Sequence, residues 1–454
     1  MIRTEVLILG GGISGLSTAY HLERMGAGGR YLLVEKETGV GGTAATVSKD
    51  GFLFDHTGHL LHLHDPYGKR LVEGLLRGNL ARHERSSWIY SHRTYTRYPF
   101  QANTYGLPRE VVAECVAGFA RNLYRPPEAP ARPDFEEWCA RTYGAGICRH
   151  FMYPYNRKLW RRPLSELGVE WQGRFLPRPS AEEVLYGALT DQRECFGYNA
   201  YFRYPRRGGI QPLADALAAQ CRGVRLGCRA SFVDLDSKVA VVDGLGEVGY
   251  ERLVNTTPLV EFLSLARPLP QAVAAARANL RWVGVRNLNI GIRRARVSDK
   301  HWIYFPERAF PFYRVGFNSN FSASVAPPGT SSMYIEVARR PDETVRLAAL
   351  ESRCLSGLRR CGILKASDRL AARLWIDIPY AYVVYDSLRA SALDVILRCL
   401  SAKGVRSIGR WGSWKYSFME EALLEGRRCA QTLVGRSPAS GERAADRAPL
   451  TALR

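Results

Sequence analysis

Residues 4–35 constrain this chain more than any other stretch. An apolar, β-prone run (TEVLIL, 4–9) leads at once into Gly10-Gly11-Gly12-Ile13-Ser14-Gly15. LSTAYHLERMG then shows helical periodicity through Leu16, Ala19, Tyr20 and Leu22, with Gly26 as its stop. A second apolar run (RYLLVE, 30–35) ends on Glu35. Strand, glycine-rich turn, helix, strand and acid in this order form the dinucleotide-binding fingerprint in the context that gives it meaning. Gly10 permits the tight turn, Gly12 lets the backbone approach a pyrophosphate, and Gly15 lets the helix pack close to the strand. The unpaired N–H groups and positive end of the helix can then hold the anion. Glu35, 20 residues beyond Gly15, is placed to accept ribose hydroxyls.

A second glycine cluster, Gly39-Val40-Gly41-Gly42-Thr43, follows the acid, and a turn at Lys49-Asp50-Gly51 leads to a short strand at 52–55. Flavoproteins of the amine-oxidase and glutathione-reductase type often place such a loop over their extended cofactor, which favours FAD over NAD. Gly42 is the candidate contact.

Length and texture extend this reading. A chain of 454 residues, 46% apolar and 24% charged, has ample material for two or three folded domains and excludes a disordered or fibrous chain. Residues 105–192 are helix-like, with a Pro-rich interruption (YRPPEAPARPD). Residues 196–255 bring a helix at RGGIQPLADALAAQC, several short strands, and a run (YERLVNTT) that resembles a strand returning to the dinucleotide fold. Residues 280–385 are rich in β-branched and aromatic residues and predict an antiparallel sheet. Residues 407–433 give a strand end, a glycine-rich turn and a last helix.

The expected fold is therefore α/β: a Rossmann-like FAD-binding domain (1–75, 196–255 and 385–436), an inserted helical domain (104–195), and an antiparallel sheet domain for substrate (76–103 and 256–384). A disordered tail (437–454) follows, rich in Ser, Ala, Pro and Arg.

The excess of Lys and Arg gives a formal charge of +21. An anionic small substrate, an acidic membrane surface or nucleic acid would each suit it. The basic residues are spread along the chain without a long run or a nucleic-acid-binding signature, so nucleic acid is not expected as a partner. The ten cysteines form no C-x-x-C pair and no metal-ligand cluster, and they read as reduced, mostly buried thiols. His56, His62 and His64 lie close in sequence, but their apolar surroundings fit a strand as well as a metal site, and no metal is expected. No apolar run reaches the roughly 18 residues of a membrane span, and the chain starts directly on a strand pattern, so a cytoplasmic location is expected.

Six motifs resemble one family in order and spacing. They are FLFDHTGH at 52–59, Tyr98-Pro99-Phe100-Gln101, Pro154-Tyr155-Asn156-x-Lys158-x-Trp160, WIYFPE at 302–307, PFYR at 311–314, and GRWGSWKY at 409–416. Together they resemble the eukaryotic-type UDP-galactopyranose mutases and their bacterial relatives, over residues 4 to 433. The resemblance implies a mutase interconverting pyranose and furanose forms of a nucleoside-diphosphate sugar. In that family the FAD must be reduced, and its N5 attacks the anomeric carbon and forms a sugar adduct while the diphosphate departs and returns. NADPH or NADH is the reductant to consider.

By the same resemblance, Arg174 and Arg314 match the pyrophosphate arginines, and Tyr304, Tyr382 and Tyr416 the phosphate-binding tyrosines. Phe100, Gln101, Asn156 and Trp160 match the nucleoside region. Asn199 and Arg410 match residues near the sugar and flavin. Gly58 and His59 match the mobile loop facing the flavin, and Gly409 lies in the last glycine-rich turn beside the cofactor. Arginine forks and tyrosine hydroxyls suit a diphosphate that must be stabilised and retained. Family members assemble as dimers or tetramers, so a homo-oligomer is compatible with the resemblance.

Three departures stand out. The polar insertion that the family carries past Tyr416 is replaced by a direct run through SFMEEALL into the last helix. Val383 stands where the family usually has Pro, and the RRGGIQPL element is shorter than in eukaryotic members, where it helps to bind NADPH. The alternatives are an FAD-dependent oxidoreductase of the amine-oxidase or desaturase type that removes hydride, and a basic flavoprotein that binds nucleic acid or an acidic membrane surface.

Overall fold

The computed structural model describes residues 1–124, 133–192 and 199–435. The expected tail at 437–454, most of the Pro-rich interruption, and Cys195 lie outside them. The strand Ile2–Leu9 occupies the middle of an eight-stranded sheet, parallel to Tyr31–Val34 on one side and Gly246–Asn255 on the other. Val224–Arg225 and Val405–Ser407 extend the parallel part, while Val239–Val242 and Ala230–Asp234 add an antiparallel flank.

The continuous apolar run of the first strand is explained by burial on both faces. Val6 and Ile8 pack against the helices Ile13–Arg24, Gln211–Ala218 and Met419–Leu433. Leu7 and Leu9 face Leu259–Leu265, Gln271–Ala278 and Arg389–Ala402. Residues 259–278, read from sequence as part of the antiparallel sheet region, thus pack on the parallel sheet, and Ala266–Arg267 forms its edge strand.

A second sheet has seven strands in the order Leu370–Val383, Trp282–Ile292, Ser331–Arg339, Arg314–Gly316, Trp302–Tyr304, Ser87–Ser91, Thr94–Arg97. It is antiparallel except where Trp302–Tyr304 runs parallel to Ser87–Ser91. Its two faces differ sharply. Leu288, Ile290, Ile303, Val315, Met333 and Ile335 pack on one side beneath the helix Leu347–Arg360. That helix corrects the expectation of unbroken sheet between 280 and 385. The alternating residues of the same strands carry Asn287, Asn289, Tyr304, Arg314, Tyr334 and Glu336 on the other side.

The helical region is built from Arg109–Leu123, Phe135–Ile147, Tyr153–Trp160 and Ala181–Leu189 around an aromatic-rich core. Its first two helices touch backbone to backbone, since a Cβ at Gly146 would lie 2.2 Å from the Glu114 carbonyl oxygen. The described cysteines are all free thiols, six of the nine buried. Among the described residues no helix is long and apolar enough to cross a membrane.

Candidate functional site

The central strand ends at Gly10, where a φ of +102° turns the chain into the helix Ile13–Arg24. A Cβ at Gly15 would lie 2.0 Å from the Gly10 carbonyl oxygen, so helix and turn are in direct contact. Gly12 caps the helix without a side chain, and a Cβ there would meet nothing within 4 Å. An uncapped positive helix end behind bare backbone fits a pyrophosphate.

Glu35 is fixed beside the turn, its Oε2 accepting from the Gly11 amide at 2.6 Å and its Oε1 from the Glu37 amide at 2.9 Å. Lone pairs remain on both oxygens for hydroxyl donors. The second glycine cluster folds back on the first: the Gly41 amide donates to the Gly11 carbonyl at 2.9 Å, and a Cβ at Gly42 would lie 3.3 Å from Gly12 Cα. From the far end of the chain, Gly409 sits against the same helix start, where a Cβ would come within 2.5 Å of Ser14 Oγ. The structure therefore gathers Gly10, Gly12, Gly15, Glu35, Gly42 and Gly409 around one helix end, in an arrangement that fits an extended dinucleotide such as FAD.

From Phe52–Asp55 the chain runs into the loop carrying Gly58 and His59. Asp55 anchors its start. This buried carboxylate accepts from Thr46 Oγ1 and Tyr204 Oη, each at 2.6 Å, and from the Ile210 amide at 3.2 Å. Burial raises its pKa to about 6 against these donors. Asn287 Nδ2 donates to the His56 carbonyl at 2.6 Å, joining the loop to the polar face of the second sheet. A Cβ at Gly58 would lie 2.3 Å from Tyr334 Oη, and one at Gly316 would lie 2.0 Å from Tyr334 Cζ. One tyrosine ring thus fills the space left by two glycines. Loss of hydration drives His59 down to about 3, with His56, Arg410 and Arg314 acting in the same direction. Its imidazole is neutral at physiological pH.

That polar face continues with Arg314, whose Nη2 donates to Glu336 Oε1 at 2.8 Å while its Nε donates to Oε2. Burial opposes its charge, but the fully buried Glu336 carboxylate more than compensates and holds the guanidinium protonated. The pairing follows from strand register, because Arg314 lies opposite both Glu336 and Tyr304.

Tyrosines surround the pair. Tyr304 packs against Tyr98 (5.1 Å between ring centroids) and Tyr155 (5.5 Å). Tyr382 stacks on Tyr416 at 6.2 Å and 12°. Arg410 lies 4.8 Å from the Tyr416 ring centre and 5.6 Å from that of Tyr382, and it donates to the Ser417 and Ala381 carbonyls at 2.6 Å. Burial raises Tyr416 to about 12, so its hydroxyl remains a donor.

The nucleoside candidates are placed differently. Phe100, Gln101, Asn156 and Trp160 are all buried. Phe100 stacks on Phe151 at 5.1 Å, Asn156 Nδ2 donates to the Met152 carbonyl at 2.8 Å, and Asn156 Oδ1 accepts from Trp160 Nε1 at 3.3 Å. Phe151 stacks in turn on the partly exposed Tyr155 at 5.3 Å, and Trp160 lies 6.0 Å from the partly exposed Tyr382. Asn199 accepts from the buried Arg85, whose guanidinium lies 5.1 Å from the Tyr98 ring centre. The side chain of Arg174 lies outside the description, and its backbone belongs to the turn Gly173–Phe175.

Sequence reading passed over Glu336, Tyr334 and Arg85, and gave Tyr98 no role although it opens the motif Tyr98-Pro99-Phe100-Gln101. Glu336 had a signal, an acid inside the β-rich run SMYIEVA, and Tyr98 had its place in a motif, while Arg85 had none beyond its residue type. Among the described residues no group of three or more His, Cys, Asp or Glu is placed to hold a metal ion.

The chain belongs to the flavin containing amine oxidoreductase family, whose model matches residues 13–434. Its fold is the mixed α/β, amine-oxidase-like FAD fold, and it matches a crystal structure of reduced UDP-galactopyranose mutase at a TM-score of 0.90 and 25% identity, covering 95% of this chain and 96% of that one. A structure of putrescine oxidase bound to putrescine shares the fold at a TM-score of 0.64 and 16% identity, covering 96% of this chain and 100% of that one. The chloroplastic protoporphyrinogen oxidase 1 of Arabidopsis thaliana is 23% identical over 320 residues, which span 64% of this chain and 59% of that protein.

Proposed function

We propose that this flavoprotein is a mutase that interconverts the pyranose and furanose forms of a nucleoside-diphosphate sugar, UDP-galactopyranose or a close analogue. The observation that carries the reading is the side-chain set beside Gly58 and His59: two arginines, Arg314 and Arg410, with Tyr304, Tyr382 and Tyr416 around them. Fixed cations and hydroxyl donors suit a diphosphate that must leave and return, and suit a hydride-donating amine poorly. The likeness to the mutase structure over nearly the whole of both chains supports the same reading.

Each residue then has a task. Arg314, locked by Glu336, keeps its charge and offers the N–H groups not used by the carboxylate. Tyr304, Tyr382 and Tyr416 donate hydroxyls to phosphate oxygens, and Arg174 is assigned to the same anion. Arg410, held by two carbonyls, presents a fixed positive charge between the tyrosine pair and the flavin side. Gly58 makes room for the Tyr334 hydroxyl within the loop assigned to face the flavin, and neutral His59 can accept or donate one hydrogen bond without adding charge. Bound in reduced form, FAD supplies the nucleophile toward the anomeric carbon. NADPH or NADH is the proposed electron source.

The test is to incubate flavin-loaded protein with a panel of nucleoside-diphosphate pyranoses and furanoses, with and without dithionite, and to resolve the products by chromatography. Interconversion only after reduction is the expected result. The family match and the protoporphyrinogen oxidase relative favour a second reading, hydride removal by oxidised flavin. Absence of isomerisation across the panel, together with substrate-dependent oxygen consumption, would replace the first reading with the second.

A further inference from the structure

Tyr416 is the candidate phosphate donor on the shortest tether, because the helix Met419–Leu433 begins three residues later. Two residues before it stands Trp414, whose φ is +51°. Bulky residues rarely adopt this left-handed conformation, so the surroundings must enforce it. Trp414 is fully buried, with Trp282 at 5.6 Å and Trp411 at 5.7 Å from its ring centre.

The enforcing contact comes from outside the tyrosine set. Arg389, the first residue of the helix Arg389–Ala402, directs Nε (3.0 Å) and Nη2 at the Trp414 carbonyl. Its guanidinium lies 3.9 Å from the ring centre of Tyr385. The Tyr385 hydroxyl in turn accepts from the Tyr416 amide at 2.8 Å. Between the two held residues, Lys415 is fixed by its amide to the Arg410 carbonyl at 2.9 Å and by its ammonium to Glu425 at 2.6 Å and Glu421 at 3.0 Å. Asp386 Oδ1 accepts from the Arg389 amide at 3.0 Å and sets the helix start from which the guanidinium projects.

We infer that Arg389 and Tyr385 are positioning residues: together they hold the backbone of residues 414–416 in the left-handed turn that aims the Tyr416 hydroxyl into the Arg314–Arg410 cleft. The inference rests on reading Tyr416 as a phosphate donor. A bidentate guanidinium does this better than an ammonium, because its two donors fix the direction of the carbonyl and its plane stacks on the ring.

The experiment uses flavin-loaded protein and two readouts. The first is UDP affinity by calorimetry for the native protein, Tyr416→Phe, Arg389→Met, Arg389→Lys and Tyr385→Phe, and for each of the last three combined with Tyr416→Phe. Tyr416→Phe should weaken UDP roughly tenfold, as for one hydroxyl lost from a charged oxygen. Arg389→Met and Tyr385→Phe should weaken it by a comparable factor alone and cause no further loss in the Tyr416→Phe background, with Arg389→Lys intermediate. Additive losses, or native affinity in the Arg389 and Tyr385 variants beside a weakened Tyr416→Phe, would overturn the inference.

The second readout needs no nucleotide: the 13Cζ resonance of Tyr416 in 13C-tyrosine-labelled protein, assigned by its disappearance in Tyr416→Phe. It should move in Arg389→Met and Tyr385→Phe, and an unmoved signal in both refutes positioning. A moved signal in protein that does not bind UDP leaves the positioning standing and refutes the nucleotide reading instead. Should Arg389→Met not fold, Arg389→Lys and Tyr385→Phe carry both readouts.

Discussion

The glycine cradle around the helix Ile13–Arg24 and the cleft around Arg314 both suit phosphate, but they are made of different material. The cradle is backbone. Its central parts lie within the first 42 residues, and it works because side chains are missing at Gly10, Gly12, Gly15 and Gly42. The cleft is side chain. Its groups come from Gly58 to Tyr416, and each is held by another: Arg314 by Glu336, Arg410 by two carbonyls, Tyr416 by the Tyr385 hydroxyl. A backbone site costs little desolvation and tolerates few Cβ atoms. A site of buried charges tolerates a different shape but not an unpaired partner.

The largest expected effect tests the steric half of that contrast. Gly15→Val places a side chain against the Gly10 carbonyl, at a position where even a Cβ would be 2.0 Å away. Soluble protein, if obtained, should lack visible flavin absorbance and lose more than about 3 kcal/mol of stability in urea unfolding. Native flavin content in this variant would show that close helix–turn packing is not what the cradle needs.

Glu336→Ala tests the electrostatic half, since it leaves the Arg314 guanidinium, 21% exposed, without its fully buried carboxylate. Urea unfolding should show a loss of about 3–5 kcal/mol, and a loss below about 1 kcal/mol would mean that Arg314 finds another counter-charge.

Asp55 joins the two regions and should impose a pH slope. Its folded-state pKa of about 6 lies above the model-compound value of 3.8. The folded state therefore holds more protons between those limits, and this group's contribution to stability falls as pH rises from about 4 to about 6. The full change is on the order of 3 kcal/mol. Asp55→Asn should remove that component from the thermal midpoint measured across the window, and an unchanged profile would refute the buried titration.

The smallest effect is the most selective. Arg314→Lys keeps a cation but loses the fork, so UDP affinity should fall roughly tenfold while flavin content stays native. Equal loss of both would erase the distinction between cradle and cleft.

The same contrast explains what was legible in the chain. Gly10 to Glu35 could be read because turn, helix start and acid are contiguous, so the local pattern implies the geometry. The helix Leu347–Arg360 also left a trace, with Leu350, Cys354, Gly357 and Leu358 buried at helical spacing, but the surrounding β-rich texture hid it. The pairing of Arg314 with Glu336 needs strand register across 22 residues, which composition does not encode. Phe100 and Trp160 illustrate the reverse difficulty. Their motifs are recognisable, yet only packing shows that both rings are buried, Phe100 behind Tyr155 through Phe151 and Trp160 against Tyr382.

The Tyr334 ring has a consequence for how this protein can vary over time. It fills the space above Gly316 and reaches Gly58 with its hydroxyl, so positions 58, 316 and 334 share one volume across three separate segments. None of the three can drift alone. A lineage that acquires a side chain at 58 or 316 must first shrink residue 334, and one that shrinks 334 opens a hollow that a new residue at either glycine can fill. Among descendants of this chain the three positions should therefore change as a set, leaving a mark of mutual dependence between residues far apart in sequence.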